Sequence, residues 1–308
     1  MSQRFHLHGQ DLVQDTSTGL VWPRSANPLG YPLSWAAALA EVADMNRARF
    51  LGCDDWRMPN RVELRSLIDH AQRQPALPAG HPFRDVFLGW FWTSTTKAGQ
   101  SAYAWNVHLE GGRMFYSRKD EYRLLWPVRG ESSVLPRTGQ NACFDVAGAE
   151  LSCAGDERVR GQADSLAHGQ DGALRRGVPW PEPRFEPAAN GVLDRLTGLV
   201  WAQPHRLPPG LHDWEQALRL AAGWSEGGTG WRLPGITELE SLLDADRANP
   251  ALPLGLANAH GVTAEGFWSA TVSGFDAAWA FVLYMQKGAV GVGFKAGKEF
   301  AVWPVRRG

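Results

Sequence analysis

Hydrophobic and polar positions along the chain follow one series of patterns twice. The short apolar runs at residues 19–22 and 198–201 each predict a buried strand. Behind Ser34, a good N-cap residue, apolar residues spaced by three and four predict a helix that begins at Trp35. In the second half, Asp213 caps the equivalent predicted helix.

A second helix is predicted after a Trp-Arg-x-Pro motif in each half. Asn60 and Glu63 have the spacing of a capping box, and the predicted apolar stripe is Leu64, Leu67 and Ile68. The last 45 or so residues of each half are rich in β-forming residues, with glycines at the predicted turns. Two helices followed by a strand-rich half predict an α+β fold.

Tryptophan positions align the two halves. The chain has 15 tryptophans in 308 residues. Twelve of them form six pairs that are 174 to 179 positions apart: Trp22 and Trp201, Trp35 and Trp214, Trp56 and Trp231, Trp92 and Trp268, Trp105 and Trp279, Trp126 and Trp303. So long a period predicts a duplicated domain rather than a solenoid. The predicted segments are an N-terminal extension (1–14), repeat one (15–130), a connector (131–193) and repeat two (194–308).

Composition narrows the class of protein. With 44% apolar and 20% charged residues, the chain is expected to be globular. A formal net charge of −1 predicts no general attraction to nucleic acid. No apolar run is long enough to span a bilayer, so no membrane insertion is expected. The first 14 residues lack the apolar core of a secretory signal.

The combined motifs resemble a known family. Thr-Gly-Leu-Val-Trp, Trp-Arg-Leu-Pro-x-x-x-Glu-Leu-x-Ser-Leu, Phe-Trp-Ser, Ala-Trp and Val-Arg occur in the order typical of the DUF1566 family, also called the Lcl C-terminal domain after a collagen-like surface adhesin. The resemblance implies a tandem pair of C-type lectin-like domains. It also implies a distant relation to the formylglycine-generating, sulfatase-modifying group. Family roles include glycosaminoglycan binding.

The cellular compartment of the protein has two alternatives. The family implies the cell surface or the periplasm of a bacterium, whereas a native start at Met1 without a secretory signal predicts the cytoplasm.

The Trp-Arg-x-Pro motif is predicted to be scaffold, because it occurs in both halves. Arg57 and Arg232 are expected to pair with Glu63 and Glu238, since arginine suits bidentate pairing with a carboxylate. The scaffold residues are Trp56, Arg57, Pro59, Glu63, Trp231, Arg232, Pro234 and Glu238.

Ligand-binding candidates come from the late part of each repeat, where basic residues cluster and would suit a polyanion such as a sulfated glycan. A solvated strand face is the alternative interpretation. The paired tryptophans are predicted to be core, which leaves unpaired ones as platforms for stacking. The candidates are Lys287, Lys295, Lys298, Arg113, Arg118, Lys119, Tyr116, Trp90 and Trp224.

No pattern predicts a metal or a cofactor. The sequence lacks an EF-hand loop, the tripeptides of calcium-dependent sugar sites, Cys-x-x-Cys and His-x-x-x-His. Cys143 and Cys153 could form a disulfide if the protein is exported, and Cys53 would then be a free thiol. Neither repeat has the late cysteines that formylglycine-type oxidation needs.

These observations predict a non-enzymatic protein that binds a glycan or a protein partner through the late strands and loops. Two alternatives remain: a structural module that packs against a partner subunit, and an enzyme of the sulfatase-modifying type.

Overall fold

The computed structural model describes residues 4–153, 166–189, 191–225, 229–257 and 262–308. The chain divides into two compact units, Met1–Pro179 and Trp180–Gly308. Each unit combines helices with antiparallel strands, so the predicted α+β class and the tandem arrangement are confirmed. Residues 131–179 of the predicted connector belong to the first unit, and residues 180–193 belong to the second.

The first unit contains two antiparallel sheets of three strands and a short hairpin. In the first sheet the strand order is β1-β2-β3, and the second is a meander of β4, β5 and β6. The strands are β1 (Phe5–His8), β2 (Leu12–Asp15), β3 (Val21–Pro23), β4 (Trp90–Thr96), β5 (Tyr103–His108), β6 (Met114–Arg118), β7 (Cys143–Phe144) and β8 (Glu150–Leu151). The helices are α1 (Trp35–Arg47), α2 (Arg61–Arg65) and α3 (Asp171–Leu174).

The second unit repeats this order. Its strands are β9 (Phe185–Ala188), β10 (Gly191–Asp194), β11 (Leu199–Ala202), β12 (Phe267–Val272), β13 (Trp279–Tyr284), β14 (Ala289–Phe294) and β15 (Val305–Arg307). Its helices are α4 (Trp214–Ala222), α5 (Ile236–Ser241) and α6 (Leu254–Ala257). Strands β15, β11, β10 and β9 form one sheet in that order, and β12, β13 and β14 form a meander.

The same tryptophan hydrogen bonds tie helix to sheet in both units. Trp35 Nε1 donates to the carbonyl of Thr93 at 2.8 Å, and Trp214 Nε1 donates to the carbonyl of Ser269 at 2.8 Å. A buried indole N–H requires an acceptor, so each bond fixes how its helix packs on the meander. The apolar cores include Trp35, Leu39, Trp92 and Leu125 in the first unit, and Leu233, Trp268, Val282 and Val302 in the second.

Capping residues begin the helices where the sequence predicts. Ser34 accepts from the N–H of Ala37, and Asp213 accepts from the N–H of Gln216 at 2.8 Å. Asn60 and Glu63 form the predicted capping box of α2. These local hydrogen bonds satisfy amide groups that a helix leaves without partners at its first turn.

Helix α2 is shorter than its apolar stripe predicts. It ends at Arg65, and the N–H groups of Leu67 and Ile68 then bond to carbonyls only three residues back, at Leu64 and Arg65. The chain thus tightens out of the α-helix, although Leu67 and Ile68 stay buried.

Strand register corrects one tryptophan pair. Thr93 Oγ1 donates to the carbonyl of Trp105 at 2.9 Å, and Ser269 Oγ donates to that of Phe281 at 2.8 Å. Phe281 is therefore the counterpart of Trp105, and Trp279 lies two residues upstream of it. The predicted match of Trp105 with Trp279 is wrong by two residues, and so is the prediction that Trp279 is core, because it is 37% exposed.

The duplicated scaffold includes residues that precede 15 and 194. Arg4 makes a bidentate pair with Asp15 at 3.0 and 2.6 Å, and Arg184 makes one with Asp194 at 3.0 and 3.0 Å. Each arginine also donates to a carbonyl at the C-terminal end of the second helix of its unit, at Ser66 and Ser241. Both aspartates are fully buried, so each arginine neutralises a charge that would otherwise be unpaired.

Candidate functional site

Exposed aromatic side chains gather at one end of the second unit's meander. Trp279 begins β13, Phe294 ends β14, and Phe275 lies in the turn between β12 and β13. These side chains are 37%, 44% and 50% exposed. Trp279 and Phe294 are register partners with ring centroids 5.6 Å apart. We call Phe275, Trp279, Phe294 and the exposed Lys298, which follows β14, the aromatic end.

Glycines on the other face of β14 explain why Phe294 points outward. A Cβ at Gly293 would lie 2.4 Å from the Phe300 ring and 2.7 Å from the Trp268 ring, so no side chain fits toward the core there. Strand residues alternate between the two faces, which places Phe294 on the face of Trp279. The sequence signal for this residue was the alternation of glycine with apolar residues along β14.

The first unit differs at the equivalent positions. Tyr103 and Arg118 are register partners there, in place of Trp279 and Phe294. The Tyr103 ring contacts Tyr116 edge-on at 5.8 Å, and Arg118 makes two hydrogen bonds to Asp120 at 3.0 and 2.8 Å. Because Asp120 is bonded to it, the pKa of Arg118 is raised. This end of the first unit therefore offers polar groups that already have partners.

The three lysine candidates of the second unit are not together. Lys298 lies at the aromatic end, whereas Lys295 turns toward α4, with its Nζ 4.2 Å from the centre of the Trp214 ring. Lys287 lies in the turn between β13 and β14, at the opposite end of these strands, 2.6 Å from Glu265.

The candidates of the first unit are also dispersed. Arg113 is exposed in the turn between β5 and β6, and Arg118 lies at the far end of β6. Tyr116 is half-buried with its ring edge-on to Trp105 at 5.4 Å. Lys119 is fully buried.

The unpaired tryptophans are half-buried rather than free platforms. Trp90 packs against His108 at 4.6 Å and Phe115 at 6.3 Å between ring centroids. Trp224 follows α4 and is half-buried as well. Burial lowers the pKa of His108, which favours the neutral ring beside Trp90.

Lys119 is held inside the first unit by carbonyl groups and an aromatic ring. Its Nζ donates to the carbonyl of Asp145 at 3.0 Å and to that of Phe144 at 3.4 Å, and it lies 4.1 Å from the centre of the Trp35 ring. Burial lowers the pKa of Lys119 to about 7, against a smaller opposing effect of the Asp145 charge.

Asp171 is a buried carboxyl group that sequence analysis did not single out. Its Oδ2 accepts from Thr95 Oγ1 at 2.6 Å and from Thr138 Oγ1 at 2.7 Å. Burial raises the pKa of Asp171 to about 7, because two hydroxyl donors offset only part of the lost hydration. Its partner Thr95 is 76 residues away in the chain, so no local pattern marks the pair.

The Trp-Arg-x-Pro motifs form the N-terminal caps of α2 and α5. Arg57 donates to Glu63 at 2.5 Å, and the other oxygen of Glu63 accepts from the N–H of Asn60 at 2.9 Å. Arg232 pairs with Glu238 through two bonds of 2.7 and 2.6 Å. Burial raises the pKa of Glu238, but the hydrogen bonds outweigh it, and the pKa is lowered overall.

The remaining motif residues anchor the same caps to the meander. The carbonyl of Pro59 accepts from the N–H of Ser94 at 2.9 Å, and that of Pro234 accepts from Ala270 at 2.7 Å. Trp56 and Trp231 are both buried.

All three cysteines belong to the first unit. Cys143 and Cys153 form a disulfide, with their Cα atoms 5.4 Å apart, and Cys53 is a half-buried free thiol. Within the described ranges, no three His, Cys, Asp or Glu side chains cluster closely enough to hold a metal ion. No helix in the same ranges is both long and apolar enough to cross a membrane.

An open depression of about 450 Å³ lies on α4. It is lined by His212, Gln216, Arg219, Leu220 and Gly223. Its lining has no tryptophan, tyrosine or phenylalanine ring and no carboxylate, so it offers less for recognition than the aromatic end.

Comparison with known proteins places the chain in a family. None of the curated proteins matches the chain. The Lcl C-terminal domain matches residues 11–129 and again residues 190–306. These two matches cover well over half of the sequence, and the chain therefore belongs to the Lcl C-terminal domain family, of which it carries two tandem copies.

Proposed function

We propose that this chain is a non-enzymatic binding protein and that the aromatic end of its second unit binds a glycan with negatively charged groups. The observation that carries the proposal is the exposure of Phe275, Trp279 and Phe294 at one end of a meander whose other large residues are mostly buried. Exposed clusters of aromatic side chains often mark the site at which a protein binds a ligand.

The chemistry of the aromatic end suits a sugar. The C–H faces of a pyranose ring pack against the flat faces of tryptophan and phenylalanine. Trp279 and Phe294 lie on paired strands, so little conformational freedom is lost when a ligand packs on them. The exposed ammonium group of Lys298 can pair with a sulfate or a carboxylate of the same ligand.

A non-enzymatic role fits the ionisable groups of the duplicated motif. Both oxygens of Glu63 are used, one by Arg57 and one by the N–H of Asn60. A carboxylate engaged in this way supports a helix cap and is poorly placed for proton transfer to a ligand. The C-type lectin-like fold, which the family implies, is part of the proposal, as is ligand binding on its late strands.

An array of neutral and sulfated glycans, read at low and high salt, tests the proposal. We expect the wild-type protein to bind sulfated chains and to lose part of that binding at high salt, because screening weakens the contact with Lys298. The double variant W279A/F294A should lose binding altogether. K298E should lose binding to charged glycans selectively.

K287E is the matched control, since Lys287 lies at the opposite end of the same strands and should leave binding unchanged. A silent array, or binding that survives W279A/F294A, would refute a glycan site at the aromatic end. A silent array would instead favour a protein ligand.

A further inference from the structure

The two units differ in what lies over one face of the meander. In the first unit this region is contacted by residues of 131–153 and 166–179, here called the cover segment. The equivalent positions of the second unit, here called the open face, are Trp214, Leu218, Thr271, Val272 and Lys295. Within the ranges described for residues 180–308, no segment takes the place of the cover segment.

The cover segment binds the edge of β4 through side chains that suit an exposed strand. Gln140 Nε2 donates to the carbonyl of Thr96 at 2.8 Å, and Gln140 Oε1 accepts from the N–H of the same residue at 2.8 Å. One amide thereby satisfies both backbone groups, as a neighbouring strand would. The carboxyl of Asp171 accepts from Thr95, the residue before Thr96.

Carbonyl groups and close apolar packing complete this contact. The carbonyls of Phe144 and Asp145 accept from Lys119, which lies over the Trp35 ring. Gly169 approaches Leu39 so closely that an added Cβ would lie 2.9 Å from a methyl group of Leu39. Glycine therefore lets the cover segment cross α1 at this distance without displacing the Leu39 side chain.

The second unit keeps the groups that the cover segment contacts. Lys295 lies 4.2 Å from the centre of the Trp214 ring, as Lys119 lies 4.1 Å from that of Trp35. The Thr271 hydroxyl accepts from the N–H of Ile236 at 3.0 Å. The first unit has the same bond, from the N–H of α2's first residue to Thr95 Oγ1.

Strand register and apolar packing in the second unit also match those in the first. Val272 pairs with Ala280 as Thr96 pairs with Ala104. The backbone N–H and C=O of Val272 therefore point to the edge of β12 that corresponds to the edge of β4 bound by Gln140. Leu218 packs on the core cluster of the second unit, as Leu39 does in the first.

Exposure shows what the open face lacks. Val272 is 37% exposed, whereas Thr96 is fully buried. Trp214, Leu218, Thr271 and Lys295 are all half-buried, although their four counterparts are buried. In the described part of the chain, no carboxylate accepts from the Thr271 hydroxyl and no carbonyl accepts from the Lys295 ammonium group.

We propose that the open face is a docking site for an extended polypeptide segment of a partner protein. That segment supplies a side-chain amide to the backbone of Val272, a carboxylate to the Thr271 hydroxyl and backbone carbonyls to Lys295, and it crosses α4 at a glycine. The occupant is a polypeptide because the cover segment, which fills the equivalent face, uses backbone carbonyls and a strand-like amide. This site and the aromatic end are neighbours, because Lys295 follows Phe294 and the partner of Val272 follows Trp279, but Lys295 and Phe294 point to opposite faces of β14.

The full chain and a synthetic peptide test this proposal. The peptide has the sequence of residues 136–176 with its cysteines oxidised, so it carries every contact described above. We expect one peptide to bind per chain by calorimetry, because the first unit's own cover segment is covalently attached and competes at high effective concentration. Thr271→Val in the protein and Asp171→Ala in the peptide should each weaken binding about tenfold.

A double-mutant cycle locates the contact. Asp171→Ala in the peptide should have no further effect on the Thr271→Val protein, because both changes remove the same hydrogen bond. Gln140→Ala in the peptide should still weaken binding to that protein. Because the peptide variants are also measured on the wild-type chain, they test the proposal even when Thr271→Val impairs folding.

Several outcomes would overturn the proposal. One is failure of the peptide to bind the wild-type chain, and another is that the effects of Thr271→Val and Asp171→Ala add instead of overlapping. Displacement of the peptide by sulfated glycan, or loss of peptide binding in W279A/F294A, would also overturn it, because either result would place the peptide at the aromatic end.

Discussion

Two ionisable residues of the first unit are buried. The carboxyl of Asp171 accepts from the hydroxyls of Thr95 and Thr138, and Lys119 is surrounded by carbonyl groups and the Trp35 ring. The sequence predicts Lys119 as a surface ligand candidate and does not mark Asp171. A single position does not reveal burial, and lysine is buried so rarely that exposure is the natural expectation.

Replacing Asp171 with asparagine should remove a pH dependence of stability. The folded-state pKa is raised from 3.8 to about 7, so between these values the folded state binds more protons than the unfolded state. The free energy of unfolding of the wild type should therefore contain a contribution that falls from about pH 4 to about pH 7. D171N should match the wild type near pH 4 and be more stable by on the order of 4 kcal/mol at pH 8.

Urea denaturation at several pH values measures this difference. The exposed Asp11, changed to asparagine, is the control and should not alter the shape of the curve. Parallel curves for the wild type and D171N would show that Asp171 does not titrate in this range.

At the level of elements, local hydrogen bonds decide where the helices begin. Asn60 accepts from the N–H groups of Val62 and Glu63, both at 2.9 Å, so α2 starts at Arg61. Such caps lie within four residues of sequence and were predictable for that reason. The end of α2 was not predictable in the same way, because the apolar stripe continues past the residue where the helix tightens.

Asn60→Ala should destabilise the first unit by about 1 kcal/mol, because two amide groups at the start of α2 lose their acceptor. Gly235→Ala is the matched control at the same position of the repeat. Gly235 has a φ of −68°, and an added Cβ would meet nothing closer than 3.6 Å, so alanine should be tolerated there. Thermal unfolding of both variants checks the difference, and equal losses would contradict the assigned role of Asn60.

In the whole molecule, the duplication places an equivalent arginine–aspartate ion pair in each unit. Arg4 and Arg184 each neutralise a fully buried aspartate and donate to a carbonyl at the C-terminal end of the second helix of the unit. The two copies are not equal, since the side chain of Arg4 is 29% exposed and that of Arg184 is 6% exposed. Water can therefore replace more of the contact at Arg4.

Arg184→Met should destabilise the chain by about 3–5 kcal/mol, because it leaves the Asp194 carboxylate buried without a partner. Arg4→Met should cost less, on the order of 1–3 kcal/mol, since solvent reaches that site. Urea unfolding of the two variants, followed by tryptophan fluorescence, gives the comparison. The ranking would be contradicted if Arg4→Met were the more harmful change.

The duplication, the α+β class, the order of elements and the starts of the capped helices could be predicted from the residues alone. Each of these depends on short-range patterns or on comparison of one half with the other. Three features became visible only in the folded chain: Trp279 is exposed, Phe281 stands at the position of Trp105, and the cover segment buries Lys119. These features depend on strand register and on contacts between residues far apart in the chain, such as Thr95 with Asp171. Such contacts are set by which surfaces pack together, and that information is not present in any local pattern of residues.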